Sequence, residues 1–157
     1  MTGLRWEQKT TASGSGANLA DPHDVDNVYT WSADGDYDSD GTTFTSFLPG
    51  LAAPNCHGGK CDWRIPTLAE LLTILLPEPY PCTSNPCVDP VFVPVSLDGM
   101  FVTETSYYWS ATTVTAGEIF GCSPDECAWD LHFDGGDVNL ATKNTFADAV
   151  RAVSGGL

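Results

Sequence analysis

Positive charge is the first thing this chain lacks: six Lys and Arg stand against 21 Asp and Glu in 157 residues, a net charge of −15. The cations Arg5, Lys9, Lys60, Arg64, Lys143 and Arg151 are spread along the sequence and form no patch. Such a field opposes polyanions, so nucleic acid and anionic membrane surfaces are not expected partners. No apolar run reaches the roughly 18 residues of a membrane helix. No basic-then-apolar leader precedes "TGLRWEQKT" either, so the chain is expected to be a mature or excised domain that does not insert into a membrane. Histidine is sparse, with His23, His57 and His132 far apart, and nothing beside them supplies a transition-metal set. What remains suits one domain over residues 1–157, since a chain of this size buries about 68–70% of its unfolded surface.

Six cysteines fall into three pairs of one spacing: "CHGGKC" (Cys56, Cys61), "CTSNPC" (Cys82, Cys87) and "CSPDEC" (Cys122, Cys127). Each pair brackets Gly, Pro, Asn or Asp, which turn the chain tightly enough for its ends to meet. Three local disulfides are the natural reading among the pairings that six cysteines allow. The rival, a four-thiolate zinc site, would leave two thiols over with no histidine cluster beside them. Closing loops this short gains on the order of 2 kcal/mol each in the loop-entropy model, so the bridges pin loop tips more than they hold the core. An oxidising compartment follows, and no catalytic thiol is expected.

No internal repeat is present. "TTASGSGAN" (10–18) reads as a flexible Ser/Gly loop and "VYTW" (28–31) as a strand. In "TTFTSFLPGLA" (42–52), Phe44, Phe47, Leu48 and Leu51 form the stripe of a short helix that Pro49 and Gly50 cut short or bend. "IPTLAELLTILL" (65–76) reads as a second helix, with Thr67 as N-cap, Glu70 completing a capping box and Pro77 as the stop. Its leucines surround most of the axis, so burial is expected. Residues 77–96, with six prolines, read as irregular loop. "YYWSATT" (107–113), "AWDLHF" (128–133) and "DVNLAT" (137–142) read as strands, with "DGGD" turning between the last two and "FADAVRAV" (146–153) closing the chain. A strand, two helices, a long loop region and a terminal antiparallel sheet make an α+β arrangement.

"SADGDYDSDGTT" (32–43) places Asp34, Asp36, Asp38 and Asp40 at every second position. "DYDSDG", Asp36 to Gly41, matches the first half of a calcium loop, with oxygen ligands at alternate positions and Gly at the sharp turn. Where an EF-hand needs its last bidentate Glu, this chain has Phe47. Two readings stay open: a calcium loop completed from elsewhere, with Asp34 as a further ligand, and a solvated acidic loop. Asp24, Asp26 and Asn27 in "HDVDN" divide likewise between calcium ligands and an Asx-turn. His23 reads as a surface or capping residue.

In the last hairpin, alternation assigns Trp129, Leu131 and Phe133 to the core. It sends Asp130, His132 and Asp134 to the opposite face, with Asn139 across the turn and Tyr107 or Tyr108 beside them. That face suits a neutral sugar or a peptide; its plain alternative is an ordinary solvent face beside a tight turn. No carboxylate pair sits in a pattern that would raise one pKa and leave the other low, so catalysis is not expected.

Taken in order, "TGLRWEQKT", "HDVDNVYTW", "FLPGL", "CDWRIPTLAELLTIL", "YYWSATT", "AWDLHFDGGDVNL" and "VRAV" resemble the domain at the C-terminus of the Legionella collagen-like adhesin, found in many bacterial secreted proteins. The resemblance runs from Thr2 to Leu157. It implies a C-type-lectin-like fold related to that of the formylglycine-generating enzymes, used for extracellular binding or adhesion. It also implies that Trp63, Arg64, Pro66, Trp109 and Arg151 are framework, and Arg64 and Arg151 are read as pairing with acidic groups inside the fold. The adhesin's association with sulfated polysaccharides is not carried over, because a domain at −15 lacks a basic surface. The three Cys pairs stand outside the family's general pattern and read as rigidity added to loops. The expectation is a secreted or cell-surface, calcium-stabilised, disulfide-stapled domain that recognises an extracellular glycan or protein without catalysis. The alternatives are a self-associating subunit of an extracellular fibre or appendage, and a diversified receptor of a diversity-generating retroelement.

Overall fold

The structure, a computed structural model, describes residues 3–10, 16–34, 36–52, 54, 56–77, 81–83, 86–93, 107–115, 117 and 120–156. Parts of the expected loops at 10–18 and 77–96 lie outside these. The C-terminal segment organises the rest. All seven residues from Asp148 to Ser154 are buried, and they pair in turn with distant parts of the chain. β6 (Ala147–Asp148) pairs antiparallel with β2 (Tyr29–Thr30), and β7 (Val153–Ser154) with β1 (Arg5–Trp6). Between them Ala149 bridges Tyr108, and Val153 also bridges Arg64. The small side chains of "ADAVRAV" let several backbones approach one strand, so the chain's two ends are tied through its middle.

Among the described residues the largest sheet is β3 (Tyr107–Thr113), β4 (Cys127–His132) and β5 (Asp137–Thr142), antiparallel in sequence order. Trp109, Asp130 and Asn139 lie opposite one another across it, as do Tyr107, His132 and Asp137 one step along. One face carries Trp109, Ala128 and Ala141 into a core with Tyr29, Trp31, Phe47, Leu51 and Ile65. The other carries Tyr108, Leu131 and Phe133 into a second core with Leu71, Ile74 and Val88. A sheet covered on both sides explains why β4 departs from alternation, since Asp130 and Leu131 are both buried. Trp129, expected in the core, is only partly buried, because the second core does not extend to its corner of the sheet.

α1 (Leu48–Ala52) follows a π-type turn over Thr43–Phe47. The expected stripe holds: Phe47 and Leu51 are buried, and Phe44 and Leu48 pack against the first core. The wide turn falls just before Pro49, whose missing N–H would break a regular ladder there. α2 (Leu68–Leu72) has the capping box read from the sequence, with the Glu70 N–H donating to Thr67 Oγ1 at 3.2 Å and the Thr67 N–H to Glu70 Oε2 at 2.8 Å. It is shorter than expected, because Thr73 turns back onto the Glu70 carbonyl at 2.6 Å and Leu75 leaves to bridge Val88. Burial is correspondingly one-sided, and Leu72 is exposed. Arg64 clamps the Glu70 carboxylate through two bonds of 2.7 and 2.8 Å. This clamp first, with the Thr67 bonds, outweighs partial burial and holds Glu70 at a pKa of about 2. A bulge in β3 frees Ala111 to donate to the Pro66 carbonyl at 2.7 Å and Thr112 to accept the Leu68 N–H at 3.0 Å, so "WRIPT" docks on "WSATT".

All three local disulfides are formed: Cys56–Cys61, Cys82–Cys87 and Cys122–Cys127. The second lies against the β4–β5 turn, where Cys82 and Cys87 donate backbone bonds to Gly135 and Phe133. Two helices, antiparallel strands and stapled loops make the expected α+β fold. Arg151 departs from its expected acidic partner. Fully buried, it donates to the carbonyls of Glu7 at 3.0 Å and Phe92 at 3.1 Å. The carboxylate of Glu7 is taken by Lys9 and His23, each at 2.9 Å, and by the Ala152 N–H at 2.9 Å.

Candidate functional site

Two places bring acidic side chains together. In the loop before α1, Asp34 Oδ1 accepts the Asp36 N–H at 3.4 Å and Asp36 Oδ1 the Asp38 N–H at 3.2 Å. Asp40 Oδ1 reaches back to the Ala33 N–H at 2.7 Å and the Ser32 hydroxyl at 3.3 Å. These bonds fold the run into a bowl in which one oxygen each from Asp34, Asp36 and Asp40 lies within 4.8 Å of the others. Asp38 is exposed and outside that group. Gly41 serves this bowl by close approach: a Cβ there would collide with the carbonyls of Thr30 and Trp31. The carboxyl of Asp34 is raised above its ordinary range, first by its contact with Asp36, while Asp36 is held down, first by the Asp38 N–H. Carboxylates gathered this closely repel one another.

Asp24, Asp26 and Asn27 lie apart from this bowl. Asp24 is buried and its Oδ1 accepts the Asp26 N–H at 2.9 Å, an Asx-turn. The Asn27 amide donates to the carbonyls of Asn18 at 3.0 Å and Asp21 at 2.8 Å and to the Tyr29 hydroxyl at 3.1 Å. His23 stacks near His57, 4.0 Å between centroids, and meets buried Glu7.

The second place is on the sheet. Tyr107, Asp130, Asn139, Leu140, Ala141, Phe146 and Asp148 line a pocket of about 250 Å³. It spans the three strands on one face of the sheet, with the Tyr107 ring, 39% exposed, stacked on His132 at 4.3 Å and 16°. His132 also faces Asp137 at 3.9 Å. Asp130 and Asp148 are only 3% and 7% exposed, and Asp130 Oδ1 and Asp148 Oδ2 receive no hydrogen bond. Burial lifts the Asp130 pKa to about 6, against the Asn139 N–H, and burial with the Asp130 charge lifts that of Asp148 to about 7. Of the residues read as a ligand face, Tyr107, Asp130 and Asn139 come together here and His132 stands beside them. Tyr108 lies on the opposite face in the second core, and Asp134 is exposed in the turn. Asp148, outside the ligand face expected from the sequence, joins Tyr107, Asp130 and Asn139. Its mark in the sequence is a lone acid within the apolar closing segment "FADAVRAV".

On the other face of the sheet, Phe120, Trp129, Val138, Asn139 and Leu140 frame a second cavity of about 280 Å³ with Cys122, and Phe120 is 91% exposed. β5 is therefore flanked by a pocket on each face.

Comparisons with curated proteins and with solved structures return no match. A family model does match, over residues 1–154, nearly the whole chain. With "DWRIPT" docked on "YYWSATT" and "VRAV" as the central strand, the chain belongs to the Lcl C-terminal domain family, that of the Legionella collagen-like adhesin.

Proposed function

We propose that this chain is an extracellular, non-catalytic recognition domain that holds a glycan or protein ligand in the pocket on the sheet face, with calcium stiffening the acidic loop. The observation that carries the reading is the half-exposed Tyr107 ring, fixed by His132 over a concave site that contains unpaired acids. A preset aromatic platform beside polar groups is what stacking recognition uses. Family membership and an oxidising compartment, implied by three disulfides, support an adhesive role outside the cell. Tyr107→Ala is expected to weaken capture on an array of glycans and surface proteins at least tenfold, with melting temperature little changed. Equal capture by the variant would remove the platform from the reading.

Calcium at Asp34, Asp36 and Asp40 is the cofactor part of this proposal. The bowl supplies three carboxylates, and carbonyls and water would complete the six to eight oxygens that calcium takes. Millimolar calcium against chelator is expected to raise the melting temperature on the order of 5 °C, the stabilisation a native-state ligand gives well above its Kd. Asp36→Asn with Asp40→Asn should abolish the rise; an unchanged rise would place the ion elsewhere, and no rise would remove it.

A structural-subunit role is favoured by one feature: among the described residues no strand pairs with the outer side of β5, and Val138 and Phe120 are exposed. Concentration-dependent self-association in sedimentation would support it.

A further inference from the structure

Two buried carboxylates share one pocket, and the Asn139 N–H on Asp130 is too little to stabilise both as anions. When ionised, Asp130 Oδ1 and Asp148 Oδ2 can only accept, and no N–H or O–H reaches either. The one neighbouring charge that acts on the pair is the Asp130 carboxylate on Asp148, and it repels. The groups that face them are Tyr107 from β3, Asn139 from β5 and Tyr29 from β2, which lies opposite Asp148, with His132 and Asp137 one step further along.

The missing partner must be a donor, positive and partly apolar. A divalent ion fits poorly, because two carboxylates and one amide fall short of the oxygens calcium needs, while Leu140, Ala141 and Phe146 offer none from their side chains. A sugar amine carries hydroxyls on neighbouring carbons, and that wall has no side-chain partners for them. An alkyl ammonium fits both halves: three N–H donors for the acids, methylenes for the apolar wall and a positive charge beside the Tyr107 and Phe146 rings. The net charge of −15 attracts such a ligand from a distance.

Resting on the recognition reading above, we propose that the pocket takes a primary ammonium on an aliphatic stem, the lysine side chain of a partner protein, with Asp130 and Asp148 as its charge partners. Capture of lysine-bearing protein is thereby favoured over capture of a neutral glycan. Both acids are protonated at pH 5 and ionised at pH 8, so binding should follow their titration.

The test is an NMR titration of the folded domain with Nα-acetyl-lysine methyl ester, the same compound acetylated at Nε, and glucosamine, at pH 8 and pH 5. Saturable shifts at Tyr107, Asn139 and Phe146 are expected with the free ammonium, with a Kd on the order of millimolar. They should be at least tenfold weaker for the acetylated compound, at pH 5, and in Asp148→Asn. Phe146→Ala, at an exposed position, should weaken binding severalfold and guards against a folding failure of the buried variant. Equal binding of the acetylated compound, indifference to pH, or no saturable shift would overturn the proposal; tighter binding of glucosamine would overturn the lysine assignment. If array capture depends on Tyr107 while no ammonium binds, this inference fails and the recognition reading stands.

Discussion

Glu7→Gln is expected to destabilise the domain by about 3–5 kcal/mol, lowering the melting temperature on the order of 10 °C. The Lys9 ammonium is as buried as Glu7 itself, with side chains 1% and 0% exposed. Losing the charge leaves that ammonium in contact with neutral groups, the substituted amide, the Pro22 carbonyl at 3.2 Å and the Phe47 ring at 4.7 Å. Burial pushes Glu7 towards the protonated form, but Lys9, His23 and the Ala152 N–H together outweigh it and the pKa is lowered. A lowered carboxyl contributes stability above its unfolded pKa, ordinarily 4.5, and that contribution is lost as pH falls through the lower folded value. Denaturant unfolding should show this acid limb in the wild type and a reduced one in Glu7→Gln. Adding Lys9→Met to Glu7→Gln should recover much of the loss, since no ammonium is then buried and the amide still accepts the Ala152 N–H. A loss below about 1 kcal/mol for the single variant would mean that water reaches this site.

Asp148→Asn should act in the opposite direction and stabilise the domain at pH 8. Asp148 titrates near 7 when folded, above its ordinary 3.8, because of burial first and the Asp130 charge second. Between these values the unfolded chain has released a proton that the folded chain retains, so stability falls as pH rises and levels off above about pH 7. The gain expected for the neutral isostere is about 2–4 kcal/mol at pH 8 and nearly nothing at pH 4. Asn adds amide donors for the unpaired Asp130 oxygen, which reinforces the effect. Thermal unfolding against pH would read this directly; equal melting shifts at both pH values would refute the electrostatic origin. A domain that gains stability while losing its ammonium ligand would be a site kept at a stability cost for binding.

Much of the fold was legible because its determinants are local. The Cys pairs close over five residues, the Thr67–Glu70 box is contained in one turn, and "YYWSATT" is a strand from its first residue to its last. Misreadings arose where a distant segment intervened. α2 stops early because Leu75 pairs with Val88, and Arg151 meets carbonyls because β1 and the Pro90–Phe92 turn close over it. Alternation placed Asp130 on a solvent face; it is buried because the strands at 29–30 and 147–148 cover that face too.

The candidate sites divide in the same way. By itself the sequence determined the acidic bowl, the three staples, the family and the α+β class, since each rests on spacing within a short stretch or on the order of motifs. Only the tertiary structure decided that Asp148 stands with Asp130, residues 18 apart on two different strand pairs. It also decided that Tyr107 lies over their pocket while Tyr108 serves the core. Charges that share a pocket alter one another through space, and no periodicity along a chain reports which carboxylates the closing strand will bury together.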